Sequence, residues 1–203
     1  MGRPREFDVD DALQAALRVF WKKGFEGASL TDLTEAMGIT RPSLYAAYGN
    51  KEQLFVKALD CFQSTCLGFV ESALASPDAA SVLRNLLYGY ADCYTAQGEP
   101  RGSLKTNGAL VCSEASEPVR CELVRRRRED EAALERRLER ARQEGDLPKD
   151  ADPAALAAFV MTVAQGMSVQ AASGADRETL HAVVRTALRA MPISCGDHRC
   201  VTT

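Results

Sequence analysis

Histidine is almost missing from this chain: there are two in 203 residues, His181 and His198. Neither sits in a metal-ligating or nucleophile motif, so an enzymatic reading finds no support. An excess of positive charge is also lacking. Lys and Arg number 25 against 28 Asp and Glu, a formal net charge of −3. Any affinity for nucleic acid therefore has to come from a local surface and not from the overall field. No run alternates apolar and polar residues with period two over a useful length, which argues against strands. The opening MGRPREFDVD has charge but no apolar run behind it, and it does not look like a secretion signal. The seven cysteines are odd in number and scattered, with no Cys-x-x-Cys. The expectation is a cytoplasmic protein with reduced thiols.

What the chain has instead is helical periodicity. Val9, Leu13, Leu17, Phe20 and Trp21 recur at helical spacing behind Asp8, a candidate cap, and Gly24 should end that helix. Ser29 with Asp32 resembles a capping box opening a short helix to Met37. Gly38 stops it, Thr40 caps the next, and Pro42 fits in that helix's first turn. A long fourth helix is predicted from Lys51 to about Ala75, broken by Pro77. Further helices follow through Val82 to Tyr94, Thr106 to Ala115, Pro118 to Gly145, Pro153 to about Ser173, and Arg177 to Ala190. The fold class is all-α, with about nine helices. Residues 193–203 carry no core-forming pattern and are predicted to be disordered. Pro153 to Ala175 holds no charged residue and is long enough to span a bilayer. Its many Ala and its Gln, Ser and Thr residues favour a buried helix and no membrane association.

The stretch TEAMGITRPSLYAAYGNKEQLF, residues 34–55, concentrates polar and aromatic groups beyond what packing needs. Helix, tight Gly turn, helix is the helix-turn-helix arrangement, whose second helix enters the major groove. Gly38 suits the left-handed turn. Leu33, Ala36, Ile39 and Leu44 would pack the two helices together. Thr40, Arg41, Pro42, Ser43 and Tyr45 would lie at the exposed end of the recognition helix, with Arg41 able to reach guanine edges or phosphates. Tyr48 and Lys51 suit phosphate contacts, and so does Thr31 at the start of the preceding helix. Arg3 and Arg5, flanking Pro4, read either as a minor-groove arm or as a solvated tail. Residues 1–60 hold eight basic and nine acidic groups, so non-specific binding should be weak and specific contacts should dominate.

SLTDLTEAMGITRPSLYAAYGNKEQLF resembles the DNA-binding segment of the TetR family of bacterial transcriptional regulators. The hallmark is a Tyr, two residues, an aromatic, then Lys and Glu: here Tyr45, Tyr48, Lys51 and Glu52. Tyr48 stands where many members have Phe. The resemblance implies an all-helical homodimer of about nine helices with a variable C-terminal domain that binds a small molecule. It divides the chain into a DNA-binding domain at 1–60, with the helix-turn-helix at about 29–48, and an effector-binding and dimerisation domain at 61–192.

Within that second domain, Leu156, Phe159, Val160, Val163 and Met167 form the apolar side of an Ala-rich helix. Paired with the last helix and a second copy, they would make a four-helix interface, where the family dimerises; an intramolecular core is the alternative. Asn107 is a candidate for the ligand cavity, with Phe62, Cys66, Phe69, Tyr90, Cys93, Tyr94 and Val111 as its lining, though each would serve equally as ordinary core. RGSLKTNGALVCSE, residues 101–114, resembles a segment of one branch of the family whose members often carry Cys at the place of Ser103. Cys66, Cys93, Cys112 and Cys121 would cluster between the middle helices, with Arg120 beside Cys121. Cys195, His198 and Cys200 lack a fourth ligand and a rigid frame, so no metal and no cofactor is expected. RRRRED, residues 125–130, reads as a solvated, salt-bridged face, yet Arg127 falls near the apolar stripe of Val119, Leu123, Leu134 and Leu138. There it would either line a cavity and meet an acidic ligand or snorkel to solvent.

These features point to a transcriptional regulator acting on a double-stranded DNA operator, a repressor released by an unknown small-molecule effector. A cysteine-based oxidant or electrophile sensor of the same fold is one alternative. A helical interaction protein that does not bind DNA is another.

Overall fold

The computed structural model describes residues 7–110 and 116–193, the side chains of 108–110 aside. Arg3, Arg5, Val111, Cys112, the Cys195, His198 and Cys200 set and the tail from residue 194 lie outside the described residues. Ten helices and no strand occur among those described: α1 Val9–Gly27, α2 Leu30–Met37, α3 Arg41–Tyr48, α4 Lys51–Thr65, α5 Phe69–Leu74, α6 Ala79–Tyr94, α7 Leu104–Leu110, α8 Glu117–Gln143, α9 Pro153–Ala172 and α10 Arg177–Ala190.

Side-chain caps start most of these helices. Asp8, Asp78, Asp152 and Asp176 accept backbone N–H groups at the starts of α1, α6, α9 and α10. Reciprocal capping boxes open α2 (Ser29 with Asp32) and α4 (Asn50 with Gln53). Each satisfies donors that a helix cannot pair internally. The first three helices enclose a core of Leu17, Phe20, Leu33 and Leu44, closed by Leu54 and Phe55 of α4, all at most 2% exposed. Phe20 meets Phe55 edge-on at 5.0 Å, and Trp21 meets Phe62 at 4.7 Å. Lower on α4, the same helix thus packs against α1 at the boundary with the larger helical unit.

The fourth helix is shorter than the sequence suggested. It stops at Thr65, and the predicted Lys51-to-Ala75 helix is two helices, α4 and α5. The cause is local. The hydroxyls of Ser64 and Thr65 both donate to the Cys61 carbonyl, at 3.0 and 2.7 Å, and compete with the helix's own hydrogen bond there. The N–H groups of Cys66 and Leu67 then share the Phe62 carbonyl, and the chain turns.

In the larger unit α6, α8, α9 and α10 pack side by side. Helix α9 is long and apolar enough to cross a bilayer by length and composition. Here it is a core helix with Leu156, Val160, Ala164 and Met167 inside the protomer. That placement corrects the expected dimer face. Leu156, Val160 and Met167, at 9%, 0% and 1% exposure, pack inward, Val163 is half-buried, and only Phe159 of the expected five is exposed, at 40%. The outer face of α9 is the uncharged stripe Ala155, Phe159, Thr162, Gly166 and Val169, spaced four, three, four and three residues apart. Ala182, Val183 and Thr186 of α10 are exposed as well.

Candidate nucleic-acid interface and internal cavity

Helix α2 ends at Gly38, whose φ of 64° and ψ of 29° are left-handed, a backbone that side chains with a Cβ rarely adopt. Its N–H caps the last carbonyls of α2, and Ile39 N–H reaches the Thr34 carbonyl at 3.1 Å. Two residues later Thr40 caps α3, accepting from Ser43 N–H at 3.4 Å, with its hydroxyl 3.0 Å from that of Ser43. Arg41 and Pro42 occupy the first turn.

The two faces of α3 then separate by helical period. Leu44 and Tyr48, four residues apart, point inward and are buried. Thr40, Arg41, Pro42 and Tyr45 are exposed and Ser43 is half-buried. Arg41 Nη2 donates to Thr31 Oγ1 at 2.8 Å, so one guanidinium and the start of α2 form a single polar edge. Tyr45 is 49% exposed, a large aromatic ring left in solvent. Lys51 Nζ lies 4.5 Å from the centroid of the Phe25 ring, and burial lowers its pKa.

Tyr48 is the correction in this group. It is 2% exposed, and its hydroxyl donates to the Val9 carbonyl at 2.6 Å. A side chain held that way ties α3 to α1 and is not available to a phosphate. The spacing from Leu44 carried that signal.

The larger unit holds a partly open cavity of about 80 Å³ between α6, α7, α8 and α9. Tyr90 and Tyr94 of α6 form one wall. Burial pushes both phenols up, so they stay protonated. Ser103, Lys105 and Thr106 at the start of α7 form another, Arg127 and Asp130 of α8 a third. Leu67, beyond the end of α4, closes it together with Met161, Ala164 and Gln165 of α9. Lys105 and Asp130 pair at 2.6 Å with side chains 13% and 25% exposed. Among the described residues of the expected lining, only Tyr90 and Tyr94 border this space. Phe62 is fully buried against Trp21. Phe69 stands behind Tyr90, edge-on at 5.3 Å. Cys66, Cys93 and Asn107 do not line it. The polar lining went unread, apart from Arg127, because Ser103, Lys105, Asp130 and Gln165 meet only through the packing of three helices.

The thiols divide as well. Cys66 and Cys93 are in hydrogen-bonding contact, which pulls the Cys66 thiol down and, with burial, pushes Cys93 up. Burial raises Cys61. Cys121 is exposed, but it donates to Glu117 at 3.3 Å, and that carboxylate raises its pKa despite Arg120. The expected cluster therefore reduces, among the described residues, to Cys66 and Cys93. No group of three or more potential metal ligands occurs among those residues.

Among the described residues several polar contacts join the two units. Trp21 Nε1 donates to the Gly102 carbonyl at 3.1 Å, and the next residue, Ser103, lines the cavity. Arg18 forks onto Glu99 at 3.0 and 2.7 Å. Arg126 of α8 pairs with Asp60 of α4 at 2.7 Å. Ser116 donates to Glu26 at 3.1 Å. Gly102 itself, at φ +83°, is pinned: a Cβ there would sit 2.8 Å from the Ser168 carbonyl oxygen.

Comparison with known proteins places both units. The family described as bacterial regulatory proteins, tetR family, matches residues 12–58. The one described as tetracyclin repressor-like, C-terminal domain, matches residues 79–187. The chain is 35% identical over 193 residues to the HTH-type transcriptional repressor ComR of Escherichia coli, covering 94% of this chain and 92% of that protein. Among solved structures it is 44% identical, with a TM-score of 0.89, to a cysteine-substituted form of the TetR family regulator CifR bound to 26-base-pair double-strand operator DNA. That match covers 94% of this chain and 100% of the other. A TetR regulator from a Rhodococcus species, described as putative in its own name, is 40% identical with a TM-score of 0.63 over 90% of this chain and 98% of that one.

Proposed function

The chain belongs to the TetR family of bacterial regulatory proteins and is a transcriptional repressor of that family, and from that premise we propose how it reads and releases DNA. Residues 1–60 form the reading unit. Helix α3 enters the major groove and presents Thr40, Arg41, Pro42, Ser43 and Tyr45, while Thr31 and Lys51 hold phosphates on either side. The observation that carries this is the division of α3: Leu44 and Tyr48 anchor one face, and the opposite face leaves Arg41 and a half-exposed Tyr45 in solvent. Tyr48 positions α3 against α1. Arg3 and Arg5 precede the described residues and would extend contact into the minor groove.

Two copies place two recognition helices on a palindromic operator. The outer stripe of α9, with Phe159 and Val169 exposed at 40% and 41%, and Val183 of α10, at 39%, supplies an uncharged face for a second copy. Residues 61–192 hold the effector in the cavity between α6 and α9. An effector that prefers the DNA-incompetent conformation shifts the population and releases the operator, and operator binding weakens effector binding by the same factor. Regulators of this kind are soluble DNA-binding proteins rather than enzymes, and the cytoplasm is the compartment this role requires.

The test is fluorescence anisotropy on DNA from upstream of the protein's own gene, against a scrambled duplex, across a salt series. Tight binding with a steep salt dependence and preference for the upstream fragment supports the reading. Equal affinity for both duplexes, unchanged by Tyr45→Ala, would point instead to a helical interaction protein.

The contact between Cys66 and Cys93 favours a second, thiol-based reading. Hydrogen peroxide would take one hydrogen from each thiol, joining the sulfurs and leaving two waters. Mass spectrometry of the peroxide-treated protein would show that loss of two hydrogens, and Cys93→Ser would abolish it. A peroxide effect on operator binding that survives Cys93→Ser counts against this pair.

A further inference from the structure

Three charged side chains border the cavity, and two of them cancel. Lys105 and Asp130 are paired at 2.6 Å and largely withdrawn from solvent. Arg127 lies one helical turn before Asp130 on α8 and faces the same space. Among the described residues no carboxylate pairs with it. The cavity wall therefore carries one net positive charge, on a half-buried arginine, and an anion is the ligand that balances it. A cationic ligand has no such opening, because Asp130 is already held by Lys105.

The remaining lining is matched to an anion with an apolar body. Hydrogen-bond donors come from the hydroxyls of Ser103 and Thr106. Apolar contact comes from Leu67 and Met161. The guanidinium's fork fits the two oxygens of a carboxylate. A single unbalanced positive charge suits a monoanion better than a phosphate dianion. At about 80 Å³ the space is roughly half of the ~150 Å³ cavity that accepts benzene, which suits a body of about three to five carbons.

We propose that the effector is a small organic monocarboxylate whose carboxylate is held by Arg127 and whose short apolar body lies against Leu67 and Met161. The inference rests on the effector-site reading of this cavity for its consequence at the operator. The binding itself stands apart from that reading and is measured without DNA.

The experiment is a thermal-shift series on the full-length protein with propionate, butyrate and valerate at millimolar concentration, beside the matching amides. The expected result is that a carboxylate at about a hundred times its Kd raises Tm by about 5 °C or more, while its amide gives a much smaller shift. Arg127→Gln is expected to weaken the carboxylate's binding about 10- to 100-fold and to leave the amide unchanged, and Arg127→Lys to restore part of it. Because an Arg127 variant could be less stable in itself, the acid-against-amide difference in the unaltered protein is the primary readout. Equal shifts from acid and amide, or no shift from any acid, overturn the proposal. Where an acid binds through Arg127 but leaves operator affinity unchanged in the anisotropy assay, the carboxylate site stands and the effector reading fails.

Discussion

The reading head and the cavity unit use polar side chains in opposite ways. Around α2 and α3 the polar contacts are mostly local, the Tyr48 bond to Val9 aside: Ser29 with Asp32, Thr40 with Ser43, and Arg41 with Thr31 ten residues away. They shape backbone turns and leave the outer face of α3 in solvent. Around the cavity the partners are distant: Lys105 with Asp130, Ser103 with Ser168, and Trp21 with Gly102. These bonds hold separate helices at set distances, so moving any one helix is felt at the others. A unit built from local contacts can be rigid on its own. A unit built from distant ones responds to whatever fills the space between its helices.

Five substitutions would break or sharpen this contrast. The largest effect is expected from Leu44→Ala. Leu44 is fully buried, and its truncation should cost about 2–5 kcal/mol, seen as a large fall in Tm together with loss of operator binding. Next is Arg41→Ala, which should cost about 1–3 kcal/mol of operator affinity with Tm nearly unchanged, since the residue is exposed. If Tm fell as far as in Leu44→Ala, the view of α3 as an anchored inner face and a free outer face would be wrong. Third, Trp21→Phe removes the N–H that reaches the Gly102 carbonyl and should cost about 1–3 kcal/mol of stability. It should also reduce the change in operator affinity that effector produces, measured as the ratio of Kd values with and without effector. An unchanged ratio would move the link between units to another of their contacts. Smallest is Tyr48→Phe, expected to lower stability by about 1 kcal/mol through loss of the bond to Val9. Tyr45→Ala should do the reverse, weakening operator binding with little change in Tm.

The same contrast decides what the sequence could disclose. Caps, the Gly38 turn and the apolar spacing of Leu33 and Leu44 are properties of a few adjacent residues, and they were legible with nearly correct limits. Tyr48 was misassigned although Leu44, one turn earlier, marked its face as the inner one. Helix α9 posed a different problem. It is apolar nearly all round, so periodicity has no polar face by which to tell inside from outside. Leu156, Val160 and Met167 were accordingly placed at an interface when they face the protomer's own core. The break at residues 66–68 depends on two hydroxyls bending back to one carbonyl, a competition that composition does not reveal. The cavity's charged lining depends on the crossing of α7 and α8, which no window along the chain contains. Arg127 was a partial exception: its place beside the stripe of α8 left lining a cavity open, next to snorkelling to solvent.

That break after Thr65 has a mechanical consequence. Helix α4 runs uninterrupted for 15 residues, a rod of roughly 22 Å, with Lys51 at one end and the cavity-wall residue Leu67 just past the other. Helix α5 is a separate piece, fastened to α6 where Phe69 meets Tyr90. The rod can therefore pivot at its lower end without dragging α5 along. Over that length a tilt of about 5° carries the upper end ~2 Å sideways. In a dimer the two rods would swing in opposite directions, so the spacing of the recognition helices would change by about twice that amount, enough to put one of them out of step with the groove.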